Sequence, residues 1–223
     1  MTGLDRVGLY KEVFEGRRIG IITNHTAYDK DSRFIVDVFK NMKGVTITAL
    51  LSPEHGLWGT APDGEKIDNQ THPVYNLPVY SLYGKTRKPT SDMLRNIDIL
   101  VFDIQDIGAR FYTYIYTMSL AMEAAAENGK TFVVLDRPNP INGISVQGNI
   151  LEPAQSTFVG LYPIPVRHGM TAGELAKMFN GQGWLAGRVK AKLIVIPMAG
   201  WRRRMWYDPV SYTHLTLPTI LLV

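Results

Sequence analysis

Side chains that could do acid–base or binding chemistry follow four of the apolar segments in this sequence, where strands would end. They lie at residues 24–26 (NHT), 54–56 (EHG), 103–106 (DIQD) and 136–140 (DRPNP). Ligands bind beyond the carboxyl ends of the strands in open parallel sheets. We therefore expect these four groups to meet at one rim of a sheet and to form a site there.

Glu54 is the residue in this set best placed for proton transfer. It directly follows a buried segment and lies close in sequence to Trp58. A partly desolvated carboxyl group has a raised pKa and serves well as a general acid. The alternative is an ordinary turn carboxylate in solvent. His55 next to it would orient Glu54, contact a substrate, or simply lie on the surface.

Asp103 and Asp106 allow two interpretations. Together with His55 they could hold a divalent cation and serve a metal-dependent hydrolase. Alternatively, one aspartate caps the following turn and the other pairs with Arg110. We favour the second interpretation, because no histidine or third acid follows at ligand spacing. We therefore expect neither a metal ion nor another cofactor.

Aromatic and cationic residues complete the predicted rim. Arg110 would bind an anionic group, and Tyr112 and Tyr114 would stack on a ring. The same aromatic run could instead be one face of a helix, which suits Tyr116 better than Tyr112. The prolines around Asn139 make a rigid loop, and His168 precedes a helix amino terminus, which favours a neutral imidazole that donates a hydrogen bond.

The elements that must position these residues alternate between strand and helix, which is typical of a parallel α/β sheet. We predict strands at 18–23, 45–51, 78–81, 97–102, 131–135 and 189–196. Helices are predicted from about 32 to 42, from Thr90–Asp92 onward, at 113–128, and from a Thr171–Glu174 capping box to about 180. One doubly wound domain, with helices on both faces of the sheet, accounts for this order.

Composition sets the outer limits. The 223 residues are 45% hydrophobic and 20% charged, contain no cysteine, and carry a net charge of +4 that is spread along the chain. Nucleic acid is therefore not an expected partner. No apolar run is long enough for a membrane span, and the amino terminus lacks a signal-peptide pattern. Motifs of the dinucleotide-binding, P-loop, GxSxG and HExxH types are also absent.

Five segments resemble one known bacterial family in order and spacing: GIITNHTAYD, LLSPEHGLWG, FDIQDIGARFYTY, LDRPNPING and VRHGMTAGELA. The family was first catalogued as domain of unknown function 1343. Its characterised members are exo-β-N-acetylmuramidases of the NamZ type that act in peptidoglycan recycling. The resemblance covers about residues 3 to 208, and it implies a Rossmann-like amino-terminal catalytic domain and a periplasmic or extracellular location.

The resemblance also implies a substrate and a site. The substrate would be a non-reducing terminal β-1,4-linked N-acetylmuramic acid on a peptidoglycan fragment, and Glu54 would be the catalytic acid/base. Arg110 or Arg137 would bind the lactyl carboxylate, while the second catalytic group stays open among Asp103, Asp106, Asp136 and a missing domain. The expected substrate-binding residues are Asn24, His55, Asp103, Arg110, Tyr112, Asp136, Arg137, Asn139 and His168.

The last fourteen residues do not fit this pattern. Residues 210–223 carry no Asp, Glu, Lys or Arg. Their first ten residues, VSYTHLTLPT, can be back-translated as GTC TCT TAT ACA CAT CTG ACG CTG CCG ACG, which resembles a sequencing-library adapter. We therefore assign residues 1–209 to the amino-terminal domain and interpret 210–223 as a non-native tail. A carboxy-terminal domain that completes the cleft is then expected to be missing, which would leave a domain face exposed and activity weak or absent. The alternative to an active hydrolase is then a non-catalytic fragment that binds a muramyl sugar.

Overall fold

A twisted, mostly parallel sheet forms the centre of the protein in this computed structural model, which describes residues 1–62 and 68–206. Within those residues, one sheet has seven strands in the order β3-β4-β2-β1-β5-β6-β9, and β7 and β8 form a separate ribbon. All pairs in the large sheet are parallel except β3 with β4. The strands are β1 (Arg18–Thr23), β2 (Thr46–Ser52), β3 (Gln70–Thr71), β4 (Pro78–Ser81), β5 (Ile99–Asp103), β6 (Thr131–Leu135), β7 (Gln147–Ile150), β8 (Pro165–Arg167) and β9 (Lys192–Ile196).

Helices cover both faces of the sheet, as the apolar runs require. Phe102 and Val134 point to a face packed by the longer helices, and their neighbours Val101 and Val133 point to the opposite face. The α-helices are α1 (Lys11–Phe14), α2 (Ile35–Lys40), α3 (Ser91–Leu94), α4 (Tyr114–Glu127) and α5 (Ala172–Gly181). Single 3₁₀ helices occupy Leu4–Tyr10, Pro153–Gln155 and Ala186–Arg188. The predicted doubly wound α/β class is confirmed.

Local sequence signals placed most of these elements correctly. The predicted strands at 18–23, 78–81 and 131–135 have the observed bounds, and the capping box of Thr171 and Glu174 is formed. The helix predicted from about residue 32 begins only at Ile35, because residues 29–33 form a turn in which Asp29 accepts backbone hydrogen bonds from Asp31 and Arg33. The β7–β8 ribbon was not predicted, since all four residues of β7 are exposed and provide no apolar alternation.

Two sequence interpretations concern the limits of the chain. Among the described residues, none of the helices combines the length and apolar character that crossing a membrane would need. The segment interpreted as a tail, residues 210–223, lies outside the described residues. The boundary at residue 209 therefore stays a prediction.

Candidate active site

The crevice at the carboxyl ends of β1 and β5 is where the topology favours a site. From β1 the chain continues through α2 to β2 on one side, whereas β5 pairs with the other side of β1. The connections after β1 and β5 therefore diverge, and such a point is where ligand crevices form in open parallel sheets. The register of β2 and β4 also aligns the ends of these two strands, because Ser52 of β2 pairs with Ser81 of β4. Glu54 and Tyr83, each two residues further on, consequently leave the sheet side by side.

Glu54 is half-buried at this rim, and its contacts come from two other connections. Its Oε2 accepts a hydrogen bond from Thr113 Oγ1 at 2.7 Å. Thr113 is the N-cap residue of α4, yet its hydroxyl makes no cap hydrogen bond to that helix. The Glu54 carboxylate therefore accepts the hydrogen bond of the hydroxyl group at the start of a 14-residue helix. The helix dipole favours a negative charge at that end.

Tyr83 is the second contact of Glu54. The hydrogen bond between the Tyr83 hydroxyl and the carboxylate raises the pKa of that hydroxyl, and burial adds to the rise. The guanidinium of Arg87 also interacts with the hydroxyl and opposes the rise. Arg87, Tyr83, Glu54 and Thr113 therefore form a continuous polar chain along the rim.

Two tyrosines and an asparagine lie next to Glu54 at this rim, and Tyr114 and Asn24 are buried there. Tyr114 is 4% exposed, and burial raises the pKa of its hydroxyl, which also interacts with the side chains of Asn24 and Tyr112. The rings of Tyr112 and Tyr114 meet edge to face, with centroids 4.9 Å apart. Tyr112 stays half-buried, whereas Tyr116 is fully buried in α4. Tyr112 rather than Tyr116 therefore presents an aromatic surface, as the sequence indicated.

His55 follows Glu54 in a strained turn. Its φ of 65° is unusual for a residue other than glycine. Its Nδ1 lies 3.0 Å from the carbonyl oxygen of Ala61, and the ring is half-buried. The neighbouring His25 has a pKa lowered by burial and by the charge of His55. His55 thus holds the loop after Glu54 in place.

Asp103 and Arg137 form a buried ion pair behind the rim. Arg137 Nε lies 2.5 Å from Asp103 Oδ1, and Nη2 lies 3.0 Å from Oδ2. Burial raises the pKa of Asp103, and the guanidinium opposes that rise. One of Asp103 and Asp106 was expected to pair with Arg110, but the structure pairs Asp103 with Arg137 because the β5 and β6 ends are adjacent. With side chains 0% and 2% exposed, the pair supports the rim from within.

The side chains of Asp136 and Asn139 also form hydrogen bonds within the protein. Asp136 accepts hydrogen bonds from the Gly173 amide at 2.8 Å and from Thr171 Oγ1 at 3.0 Å, which ties β6 to the start of α5. Burial raises the pKa of Asp136 to about 6 despite those bonds. Asn139 donates to the carbonyl of Met170 at 3.0 Å and accepts from the amide of Ile141.

Asp106 and His168 form a second polar group. Asp106 Oδ2 accepts the Gly108 amide at 2.8 Å, which is the expected turn cap. His168 Nδ1 accepts the Met170 amide at 3.2 Å, so a neutral ring carries its proton on Nε2. That Nε2 lies 3.4 Å from Asp106 Oδ2 but makes no hydrogen bond there, so the donor role expected of His168 stays a prediction. Asp106 Oδ1 and Gln105 Oε1 are buried without a hydrogen-bond partner.

Arg110 is directed at backbone carbonyl groups. Its Nη1 donates to Asn149 O and to Ile164 O, both at 2.7 Å. These bonds fasten the β7–β8 ribbon to the loop after β5. Arg110 therefore has a clear positioning role in the fold.

The predicted site residues thus form two groups. Asn24, Glu54, His55 and Tyr112 belong to the crevice around Glu54, while the others support loops or the start of α5: Asp103, Arg110, Asp136, Arg137, Asn139 and His168. Sequence reasoning missed the roles of Tyr83, Arg87 and Thr113. The strand-end rule applied to the short strand β4 would have found Tyr83.

The metal-hydrolase interpretation gains no support from these positions. Across residues 1–62 and 68–206, no three His, Asp or Glu side chains are grouped so that they could hold a metal ion. Asp103 is paired with Arg137, and Asp106 Oδ2 binds the Gly108 amide and faces His168. The crevice around Glu54 instead combines one carboxyl group with hydroxyl, amide and aromatic groups, which suits a sugar substrate.

The sequence matches a known protein family and a characterised relative. Residues 19–218 match the family model for the amino-terminal part of exo-β-N-acetylmuramidase NamZ. The peptidoglycan β-N-acetylmuramidase NamZ of Bacillus subtilis is 50% identical over 98% of this chain. That alignment covers 53% of the relative, so the chain spans about half of its length. The family match extends into residues 210–223.

Two crystal structures of DUF1343 family proteins from Bacteroides fragilis share the fold. One is 46% identical with a TM-score of 0.85, and the alignment covers 92% of this chain and 52% of the other. The second is 36% identical with a TM-score of 0.79, and it covers 93% of this chain and 54% of the other.

Proposed function

Since the chain belongs to the exo-β-N-acetylmuramidase NamZ family and matches its amino-terminal part, we propose that it forms the catalytic half of a glycoside hydrolase. The proposed reaction releases N-acetylmuramic acid from the non-reducing end of peptidoglycan fragments. The observation that carries this proposal is the position of Glu54, half-buried at the carboxyl rim and bonded to Thr113 at 2.7 Å.

Glu54 is the proposed general acid/base. Its carboxyl group would donate a proton to the glycosidic oxygen as the bond from that oxygen to the anomeric carbon breaks. Water then supplies a hydroxyl group to the anomeric carbon, and Glu54 recovers its proton. Thr113 and Tyr83 fix the carboxyl group in position, and Tyr112 offers an aromatic surface for a sugar ring.

A glycosidase of this kind needs a second group on the opposite side of the anomeric carbon. Asp103 and Asp136 have both carboxylate oxygens engaged, by Arg137 and by the start of α5. Asp106 keeps one oxygen without a hydrogen-bond partner. That oxygen is itself buried, so we propose that the second group comes from the half of the relatives that this chain does not span.

The relatives' other half is the proposed partner that completes the cleft. Large apolar side chains are exposed in β7 and directly before it, with Ile144 at 63%, Val146 at 59% and Ile150 at 63%. Exposed apolar patches of this kind mark interaction surfaces. We infer that the carboxy-terminal half covers this face, and that the substrate places the enzyme outside the cytoplasm.

The direct test is to incubate the protein with peptidoglycan fragments that end in N-acetylmuramic acid and to follow the released sugar by mass spectrometry. Fragments that end in N-acetylglucosamine are the matched control. We expect release only from the first substrate, and unchanged release in EDTA. Release from neither substrate, both by this chain alone and by this chain joined to the carboxy-terminal half of a relative, would overturn the proposal. Loss of activity in EDTA would favour a metal-dependent hydrolase.

A further inference from the structure

Arg87 is an exposed cation held beside Glu54 by aromatic rings. Its guanidinium carbon lies 4.1 Å from the ring centre of Phe158 and 5.7 Å from that of Tyr83. It also interacts with the Tyr83 hydroxyl, which in turn contacts Glu54. Two rings and a hydroxyl thus restrict the position of a side chain that would otherwise be flexible.

No carboxylate in the described part of the chain forms an ion pair with Arg87. The other arginines of the rim have clear internal partners. Arg110 donates to two backbone carbonyl groups, and Arg137 pairs with Asp103. Arg87, which is linked to Glu54 through the Tyr83 hydroxyl, is exposed and therefore keeps further N–H donors for a ligand.

We propose that Arg87 recognises the carboxylate of the substrate's lactyl group, in place of the Arg110 or Arg137 expected from the sequence. The inference rests on the proposed function. Muramic acid differs from glucosamine by a lactyl ether, which adds one carboxylate close to the sugar ring. A guanidinium presents paired N–H groups that fit a carboxylate. The chain from Arg87 through Tyr83 to Glu54 would then couple recognition of this group to placement of the acid.

The test measures binding of two ligands to the 223-residue chain by isothermal titration calorimetry. The ligands are the methyl β-glycoside of N-acetylmuramic acid and the same compound with its lactyl carboxylate esterified. We expect the wild-type chain to prefer the acid, and R87Q to weaken binding of the acid at least tenfold while binding of the ester changes less than twofold. R87K keeps the charge and should lose less affinity than R87Q.

The matched control is R95Q, because Arg95 is an exposed arginine of the α3 carboxyl end that pairs locally with Asp92. This variant should bind both ligands like the wild type. If R87Q weakens both ligands equally, or neither, the role of Arg87 is refuted while the glycosidase proposal stands. If the wild-type chain binds neither ligand, the proposed function fails for this chain, and the inference fails with it.

Discussion

Asp136→Asn should change how the stability of the protein depends on pH. Asp136 is 7% exposed, accepts bonds from Thr171 and Gly173, and has a pKa raised to about 6, chiefly by burial. An asparagine has nearly the same shape, and its oxygen still accepts the Gly173 amide. The substitution therefore removes the titration while it preserves the connection between β6 and α5.

The sign follows from the two states of the carboxyl group. In the unfolded chain it ionises near its ordinary pKa of 3.8, whereas the folded protein keeps it protonated up to about pH 6. Its contribution to stability is therefore complete below pH 3.8 and is lost as the pH rises through 6. A rise of about two pKa units corresponds to about 3 kcal/mol of unfolding free energy.

Urea unfolding of the wild type and D136N at several pH values between 4 and 7 measures this effect. The advantage of the wild type over D136N should shrink by about 2.5 kcal/mol across that range, because the unfolded carboxyl is already partly ionised at pH 4. Asp98 provides a control whose pKa is lowered rather than raised, because its hydrogen bond from Arg18 lowers the pKa to about 2. The stability that the ionised Asp98 provides is complete above pH 3.8, so the difference between the wild type and D98N should stay nearly constant from pH 4 to 7. A constant difference between wild type and D136N from pH 4 to 7 would refute the reasoning.

Three further substitutions test the supports of the rim. Asp103→Asn leaves the buried Arg137 guanidinium without its charge partner, and urea unfolding should show a loss of about 3–5 kcal/mol; a loss below 1 kcal/mol would contradict the buried pair. Thr171→Ala removes the N-cap of α5, and thermal unfolding should report a loss of about 1 kcal/mol that T171S avoids. Thr113→Val removes the hydroxyl that holds Glu54, so kcat should fall about tenfold at unchanged KM, with recovery in T113S; equal activity of T113V and wild type would exclude that positioning role.

The sheet was largely predictable because its signals are local. Buried parallel strands such as β5 and β6 read as continuous apolar runs, and Thr171 with Glu174 marks a helix start by side-chain chemistry alone. The β7–β8 ribbon was not predictable in this way. Its strand β7 is exposed, and long-range hydrogen bonds hold the ribbon, among them those from Arg110 to Asn149 and Ile164.

The rim of strand ends was predictable from the sequence, whereas the contacts of the side chains at that rim were predictable only in part. Strand ends located the rim correctly, since the sheet order brings them together. Which cation faces the crevice depends on contacts that no sequence spacing reveals. Arg137 pairs with Asp103, 34 residues away, whereas Arg87 approaches the crevice across the ring of Phe158.

The central claim is that Glu54 is the acid/base of a muramidase, and turnover of a chromogenic β-N-acetylmuramide by the wild type and E54Q tests it most directly. Glutamine keeps the shape and can still accept the Thr113 hydroxyl bond, but it has no proton to give. We expect a correctly folded E54Q with its turnover abolished, while E15Q, a change at an exposed glutamate, behaves like the wild type. Full activity of E54Q would contradict the assignment.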